Sequence, residues 1–121
     1  MTLDEFFEGF ETSRPVFEAV REAVEATGLS TLRVSKSQIA FARRRPFAWV
    51  WVPGRYLGPG RAPLVLSVAL GHRDAWPRWK QVVEPSPGRF MHHLELREPG
   101  EVDEELRSLL REAWECAGEG S

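Results

Sequence analysis

The sequence predicts an α+β domain: a two-layer sandwich with N- and C-terminal helices packed on one face of an antiparallel meander of four to five strands. Apolar residues repeat at helical spacing near both ends of the chain and with a period of two between them. The length of 121 residues is usual for one domain. We therefore expect a single domain over 1–121, with its core in roughly 13–117 and a frayed tail at 118–121.

The first long helix is expected to begin at Ser13 and to end at Gly28, after a short helical segment at 3–10. Ser13 is a suitable N-cap, because its hydroxyl can accept a hydrogen bond from a free backbone N–H. Gly28 suits the left-handed conformation that often follows a helix. The apolar face of this helix is formed by Phe17, Val20 and Val24, and the opposite side by Glu18, Glu22 and Glu25.

Alternation of side chains predicts strands near 32–35, 38–44, 46–52, 64–70 and 89–97. In the third of these, Phe47, Trp49 and Trp51 fall on one face and smaller residues on the other. Glycine and proline recur in 53–60, which is interpreted as a mobile hairpin loop. The segment 72–87 is interpreted as a long connection without a strand of its own.

The clearest element is a C-terminal helix over about 102–117. Three acids, Asp103, Glu104 and Glu105, occupy its first turn, where the helix dipole favours negative charge. Its apolar stripe comprises Val102, Leu106, Leu109, Leu110, Ala113, Trp114 and Ala117. Two helices on one face of a sheet leave the other face for water, a partner or a second copy of the chain.

Charge is distributed unevenly along the chain, although the net charge is only -2. Residues 1–25 hold seven acids and two arginines, and residues 98–121 hold eight acids and two arginines. Residues 26–73 hold eight bases and no acid. Such asymmetry creates a directional field that can attract a polyanion to the middle of the chain. The same stretch offers no carboxylate to act as a general base.

The basic segment begins with Arg33, Lys36 and Ser37 and continues with Arg43 and Arg44. Guanidinium groups bind phosphate or carboxylate through two hydrogen bonds, and a serine hydroxyl adds a third. On a strand over 38–44, Arg43 and Arg44 would point to opposite faces. Two interpretations stay open: an anion site, or a solvated turn whose arginines pair with the acidic helices.

Aromatic and basic residues are interleaved at Arg55 and Tyr56 and again at Arg73 and Trp76. Exposed aromatic rings beside arginines stack and neutralise single-stranded nucleic acid. Buried tryptophans are more common, however, so we favour a structural role in which Trp76 and Trp79 close the edge of the core.

The pair His92 and His93 does not indicate a metal site, because neighbouring strand residues face opposite ways. His92 shares its side of the strand with apolar residues and is expected in the core, whereas His93 is the more accessible. A solvated helix face is favoured for the Glu18, Glu22 and Glu25 ridge. We expect no metal and no cofactor.

Cys116 is the only cysteine, so no internal disulfide can form, and no apolar run approaches the roughly 20 residues that span a bilayer. The acidic N-terminus is unlike a signal peptide. These features predict a cytoplasmic protein that does not enter a membrane.

Three stretches resemble the bacterial domain of unknown function 5655 family: Arg33 to Ala48, His92 to Leu96 and Val102 to Trp114. The likeness covers roughly residues 15–117. More loosely, Pro87 to His93 and the acid-started helix that ends near Trp114 look like the MmcQ/YjbR proteins, which have a frataxin-like fold and are often labelled DNA-binding. The resemblance implies a two-layer fold and a link to restriction-type defence proteins. The pattern positions carried over, without a known role, are Lys36, Ser37, Arg43, Arg44 and His92.

These observations lead to a binding module for a polyanion such as nucleic acid, acting through a basic and aromatic sheet face and its loops. The expected contacts are Arg33, Lys36, Ser37, Arg43, Arg44, Arg55, Tyr56, Arg73, Trp76 and His93. One alternative is a homodimer or protein-interaction module that ignores nucleic acid. Another is a small-anion pocket protein or enzyme, although no phosphate-binding loop, zinc spacing or nucleophile elbow is present.

Overall fold

The computed structural model describes residues 1–119. In this range the α-helices are α1 (Leu3–Phe7), α2 (Ser13–Glu25), α3 (Gly54–Leu57) and α4 (Glu104–Gly118), and a turn of 3-10 helix spans Pro99–Glu101. The strands are β1 (Thr31–Val34), β2 (Ile39–Ala42), β3 (Pro46–Trp51), β4 (Leu64–Leu70), β5 (Gln81–Ser86) and β6 (Arg89–Leu96). No helix within 1–119 is long and apolar enough to cross a membrane.

The strands form one open antiparallel sheet in the order β1-β2-β3-β4-β6-β5, which confirms the predicted fold class. The sheet differs from a simple meander, because β4 pairs with β6 and leaves β5 at the edge. The prediction of four to five strands missed β5, which lies in the supposed connection 72–87. Its residues are exposed or half-buried and include Pro85. An edge strand tolerates proline and needs no strongly apolar face, so it gives little sequence signal.

Helices α2 and α4 pack on the same face of the sheet and against each other. The side chains of Leu64, Leu66, Val68 and Leu70 in β4 point to this face and are at most 2% exposed. They share a core cluster with the apolar residues of both helices. Burying each such side chain contributes roughly 1.5–3 kcal/mol relative to exposure, which fixes the side of the sheet that faces the helices.

An irregularity between β2 and β3 moves Phe47 away from the face predicted for it. The pairing shifts by one residue between Phe41 and Ala42, so β3 has an extra residue at this point. A bulge of this kind re-aims the side chains beside it. Phe47 is 1% exposed and lines a cavity with Ala113 and Ala117 of α4. It therefore belongs to the helix side, whereas Trp49 keeps the predicted orientation.

Several predicted boundaries are wrong by a few residues. Thr12 rather than Ser13 is the N-cap of α2, and its side chain makes no capping hydrogen bond. Strand β2 ends at Ala42, so Arg43 and Arg44 lie in a turn. The supposed loop 53–60 contains helix α3. In the predicted tail, Gly118 is still helical, and residues 120–121 lie outside the described residues.

Gly28 is needed for close packing rather than for ending the helix, since α2 already ends at Glu25 with Ala26 as its cap. The backbone of Gly28 has φ 151°, and a Cβ atom there would overlap the indole ring of Trp114. That ring donates a hydrogen bond from Nε1 to the carbonyl of Leu29 at 2.9 Å. The glycine thus lets α4 dock against the segment that leads into β1.

We predict that Gly28→Ala lowers the free energy of unfolding by roughly 1–3 kcal/mol, because the added methyl group displaces the Trp114 ring. Urea denaturation followed by circular dichroism measures this change. Gly100→Ala is the matched control, since a Cβ at Gly100 would meet nothing within 4 Å. An equal effect of the two substitutions would contradict the assigned role of Gly28.

Candidate functional site

The face of the sheet opposite α2 and α4, here called the open face, carries a row of side chains that crosses every strand of the described sheet. The paired residues are, in order, Arg33, Ala40, Trp49, Ser67, His93 and Gln81. Successive residues of a strand point to opposite sides, so this row lies away from the helices. The row gathers residues that lie up to 60 positions apart in the chain.

Trp49 lies near the middle of the open face and is half-buried. The guanidinium carbon of Arg89 lies 5.8 Å from the centre of the Trp49 ring. Arg33 is exposed two strands away on β1. Within residues 1–119, neither Arg33 nor Arg89 forms an ion pair with a carboxylate at up to 4.0 Å. An aromatic platform with a cation on either side is thus available to a partner.

His93 occupies the same row and is held by a neighbouring hydroxyl. Its Nδ1 atom lies 2.7 Å from Oγ of Ser67, whose side chain is largely buried beneath it. Burial lowers the pKa of His93, and the nearby charge of His92 when protonated lowers it further. The imidazole is therefore neutral at neutral pH, and its Nε2 atom remains for a ligand.

A cleft of about 300 Å³ lies beside this histidine, between α3 and the N-terminal end of β5. We call it the α3–β5 cleft; it is lined by Trp51, Leu57, Arg61, Lys80, His93 and Glu95, among others. Nζ of Lys80 donates a hydrogen bond to Oε2 of Glu95 at 2.9 Å. Tyr56 packs near Trp51, with the ring centres 6.3 Å apart, and is 54% exposed.

Of the residues expected to bind an anion, Arg33, Tyr56 and His93 lie on or beside the open face. Lys36 and Ser37 are exposed in the turn between β1 and β2, at the end of the sheet where α3 lies. Arg44 is exposed in the turn between β2 and β3, at the opposite end. The structure therefore does not bring the predicted set together on one surface.

Arg43 and its neighbour Arg45 bind the end of α4. The guanidinium carbon of Arg43 lies 3.6 Å from the centre of the Trp114 ring, and its Nη1 donates to the Trp114 carbonyl. Arg45 donates from Nη2 to the carbonyl of Cys116 at 2.8 Å. The last carbonyls of a helix lack partners within it and carry partial negative charge, so both arginines stabilise this terminus.

Arg55 is also used within the protein. It donates to the backbone carbonyls of Phe6 and Lys36, and its guanidinium carbon lies over the rings of Phe6 and Phe10 at 4.8 and 5.2 Å. Its Nε atom is buried without a hydrogen-bond partner in the described residues. These contacts join α3 to α1 and leave this guanidinium little access to an external anion.

The aromatic and basic run around Trp76 packs on the helix side of the sheet. Trp76 and Trp79 pack edge to face at 5.1 Å against the core, as the structural interpretation predicts. Asp74 accepts hydrogen bonds from the Trp76 backbone N–H and from Nε1 of Trp79, at 3.1 and 2.8 Å. Arg73 donates to the carbonyl of Val82. These groups cover β6 and β5 on the helix side.

His92 is fully buried beneath this cover, as predicted. Its Nε2 accepts a hydrogen bond from the Asp74 N–H at 2.9 Å, so the proton resides on Nδ1, which donates to the Val68 carbonyl at 3.3 Å. Burial lowers the pKa of His92 despite these hydrogen bonds. The residue is a structural one in the neutral form.

Sequence reasoning missed four polar residues of the open face: Arg61, Lys80, Arg89 and Glu95. Arg89 and Glu95 share the alternation of His93 along the same strand, so this signal was present in the sequence. Arg61 and Lys80 lie outside the strands, and no local pattern predicts that both approach the same cleft.

The family described as domain of unknown function (DUF5655) matches residues 3–117. The chain belongs to this family. The match extends the likeness seen in the sequence over almost the whole described fold, from α1 to the end of α4. Searches of curated proteins and of solved structures return no match. The looser likeness to the MmcQ/YjbR proteins stays a prediction.

We predict that the protein loses stability as the pH falls below about 6.5. The pKa values of His92 and His93 are lowered in the folded state, so the unfolded chain binds more protons in this range. Their contribution to stability is present above 6.5 and is lost as the pH falls toward the lowered pKa values. Urea denaturation at pH 7.5 and 5.5 measures the difference.

Variants separate the histidines in this experiment. His93→Gln should reduce the loss of stability at pH 5.5. The effect of His72 on the pH dependence of stability has the opposite sign, because its hydrogen bond to Glu112 raises its pKa. Its small contribution to stability is therefore present below pH 6.5 and is lost at higher pH. His72→Gln should therefore enlarge the loss slightly. A stability that does not change between the two pH values would contradict the assignment.

Proposed function

We propose that the chain binds single-stranded nucleic acid on the open face of its sheet. The observation that carries the proposal is the position of Trp49 on an uncovered sheet surface, with Arg33 and Arg89 on either side. A base stacked on an aromatic ring contributes roughly 1–3 kcal/mol, and arginines beside the ring neutralise the flanking phosphates. Open sheets with surface aromatics bind RNA in this way in other proteins.

The distribution of acids supports this choice of face. The glutamates of α2 pair with arginines of the helix layer: Glu18 with Arg14 and Arg21, and Glu22 with Arg107. Within residues 1–119, no carboxylate forms an ion pair with Arg33 or Arg89 on the open face. The acidic C-terminal segment would repel a polyanion, and the arginines on the opposite side would attract it, because a surface whose charges share one sign steers ligands of the opposite charge toward it.

The proposal accounts for only part of the basic segment. Arg43, Arg45 and Arg55 bind backbone carbonyls and rings of the protein itself, and they are not assigned to the interface. The interface is assigned to Arg33 and Arg89, with Lys80 and Arg61 at the cleft. A cytoplasmic location, where nucleic acid is accessible, fits a chain whose single cysteine forms no internal disulfide.

We predict that the protein binds a twelve-residue oligo(dT) or oligo(rU) at 50 mM salt and that the affinity falls about twentyfold at 200 mM. Neutralising about three phosphates of a single strand gives a slope near -2 in the logarithm of affinity against the logarithm of salt concentration. Fluorescence anisotropy with labelled oligonucleotides measures both values. The absence of binding to either oligonucleotide at 50 mM would contradict the proposal.

We further predict that Trp49→Leu weakens binding at least fivefold, because a base can no longer stack on the indole. Arg33→Ala and Arg89→Ala should each reduce the magnitude of the salt slope by about 0.7. Arg111→Ala is the matched control, since Arg111 is an exposed arginine on α4. Thermal unfolding checks that each variant is folded. Equal losses for Arg111→Ala and Arg33→Ala would contradict the assignment of the face.

Pairing of two copies through the same face is a second candidate. The uncovered surface is partly apolar, with Trp49 and Trp51 half-buried and Leu57 51% exposed. Such a patch can serve association between proteins. Light scattering at 50 and 200 mM salt distinguishes the two: a dimer that persists and excludes oligonucleotides favours pairing, whereas a monomer that binds them favours the proposal.

A further inference from the structure

The α3–β5 cleft lies on the open face beside the row of side chains that contains Trp49. Its residue Trp51 is two positions along β3 from Trp49. Trp51 and Val65 are paired across β3 and β4, and Val65 is paired with Glu95 of β6. The volume of about 300 Å³ is at the small end of the range of about 300–1,000 Å³ typical of ligand sites. A nucleic-acid strand that stacks a base on Trp49 therefore passes a cavity that can receive a neighbouring base.

Half of the residues that line the cleft are apolar, and one of these is aromatic. Trp51 and Leu57 line it together with Pro53 and Val65. Surfaces of this kind bind the faces of a planar ring, and they bind a free phosphate or a chain of hydroxyl groups poorly. The apolar walls thus favour a base, whereas Arg61 and Lys80, which also line the cleft, can bind the phosphates on either side of that base.

The polar groups limit the choice further. Glu95 lines the cleft, and its side chain is 31% exposed. Its Oε2 atom accepts a hydrogen bond from Lys80. A carboxylate accepts hydrogen bonds at up to about four positions, so one bond to Lys80 leaves capacity for others. It would repel an anionic group, and it would also repel the ring acceptor that lies beside the amino group in adenine and cytosine.

Guanine alone among the common bases presents two adjacent N–H donors, N1–H and the N2 amino group, on one edge. We infer that the α3–β5 cleft is a guanine pocket in which the Glu95 carboxylate accepts hydrogen bonds from both donors while the guanine ring lies against Trp51. This inference rests on the proposed function, because the base arrives as part of the bound strand. His93 and Gln81 also line the cleft and supply further hydrogen-bonding groups for the remaining polar atoms of the base.

The experiment compares a labelled eleven-residue oligo(dT) with three versions that carry dG, dA or dC at the centre, at 50 mM salt. The dG version should bind about tenfold more tightly than oligo(dT), because a good contact of two hydrogen bonds to a base gives a discrimination of about this size. The dA and dC versions should bind no more tightly than oligo(dT). Ribonucleotide versions of the same sequences test whether RNA and DNA are distinguished.

Glu95→Gln keeps the shape of the side chain but sets an N–H₂ group against a donor of the base. The tenfold preference for dG over oligo(dT), taken as the ratio of the two affinities within the same variant, should disappear; the ratio removes the change in general affinity that follows when Lys80 loses its ion pair with Glu95. Glu115→Gln is the matched control, because Glu115 is an exposed glutamate on α4; it should keep the preference.

The outcomes separate this inference from the function on which it rests. Equal affinity for all four oligonucleotides, or a preference for dG that survives Glu95→Gln, would overturn the guanine pocket and leave nucleic-acid binding intact. A failure of every oligonucleotide to bind would overturn both. A preference for dG that Glu95→Gln removes and Glu115→Gln retains would support the pocket.

Discussion

Burial of one side of β4 against α2 and α4 determines which side chains lie on the open face of the sheet. Leu64, Leu66, Val68 and Leu70 all point to the helices, so Val65, Ser67 and Ala69 must point to the open face. The neighbouring strands follow the same alternation through their pairing with β4. The core therefore places Trp49, His93 and Glu95 on the opposite side, and no separate interaction is needed to expose them.

Some arginines of the basic segment bind other parts of the protein, whereas Arg33 lies exposed on the open face. Arg43 and Arg45 satisfy carbonyls at the end of α4, and Arg55 joins α3 to α1, so these three arginines complete the fold. Backbone carbonyls at helix ends need partners, and a guanidinium group can reach several at once. Positive charge along a sequence is therefore a poor measure of positive charge on a surface.

The long periodic elements could be predicted from the sequence. The apolar stripe of α4 and the alternation in β4 are decided by local patterns that burial enforces. The placement of β5 beyond β6 could not be predicted, since an exposed edge strand has little apolar alternation. The shift at Phe47 depends on an irregular pairing with β2, which local sequence does not specify.

The candidate site could be predicted only in part, for the same reason. Arg33 and Tyr56 follow from the runs of basic and aromatic residues, and His93 follows from the alternation within its own strand. The cleft requires residues from α3, β3, β4 and β6 to meet, and the Lys80 to Glu95 contact joins positions 15 residues apart. Such convergence depends on the order of the strands, which is a property of the whole sheet.

The most direct test of nucleic-acid binding on the open face is a titration with unlabelled oligo(dT) followed by nuclear magnetic resonance of the tryptophan indole N–H groups. The chain has five tryptophans. Trp49 and Trp51 lie on the open face, whereas Trp76, Trp79 and Trp114 pack on the helix side. We expect the signals of Trp49 and Trp51 to shift as oligonucleotide is added while the other three stay in place. Shifts confined to Trp114 or Trp79, or none at all, would contradict the account.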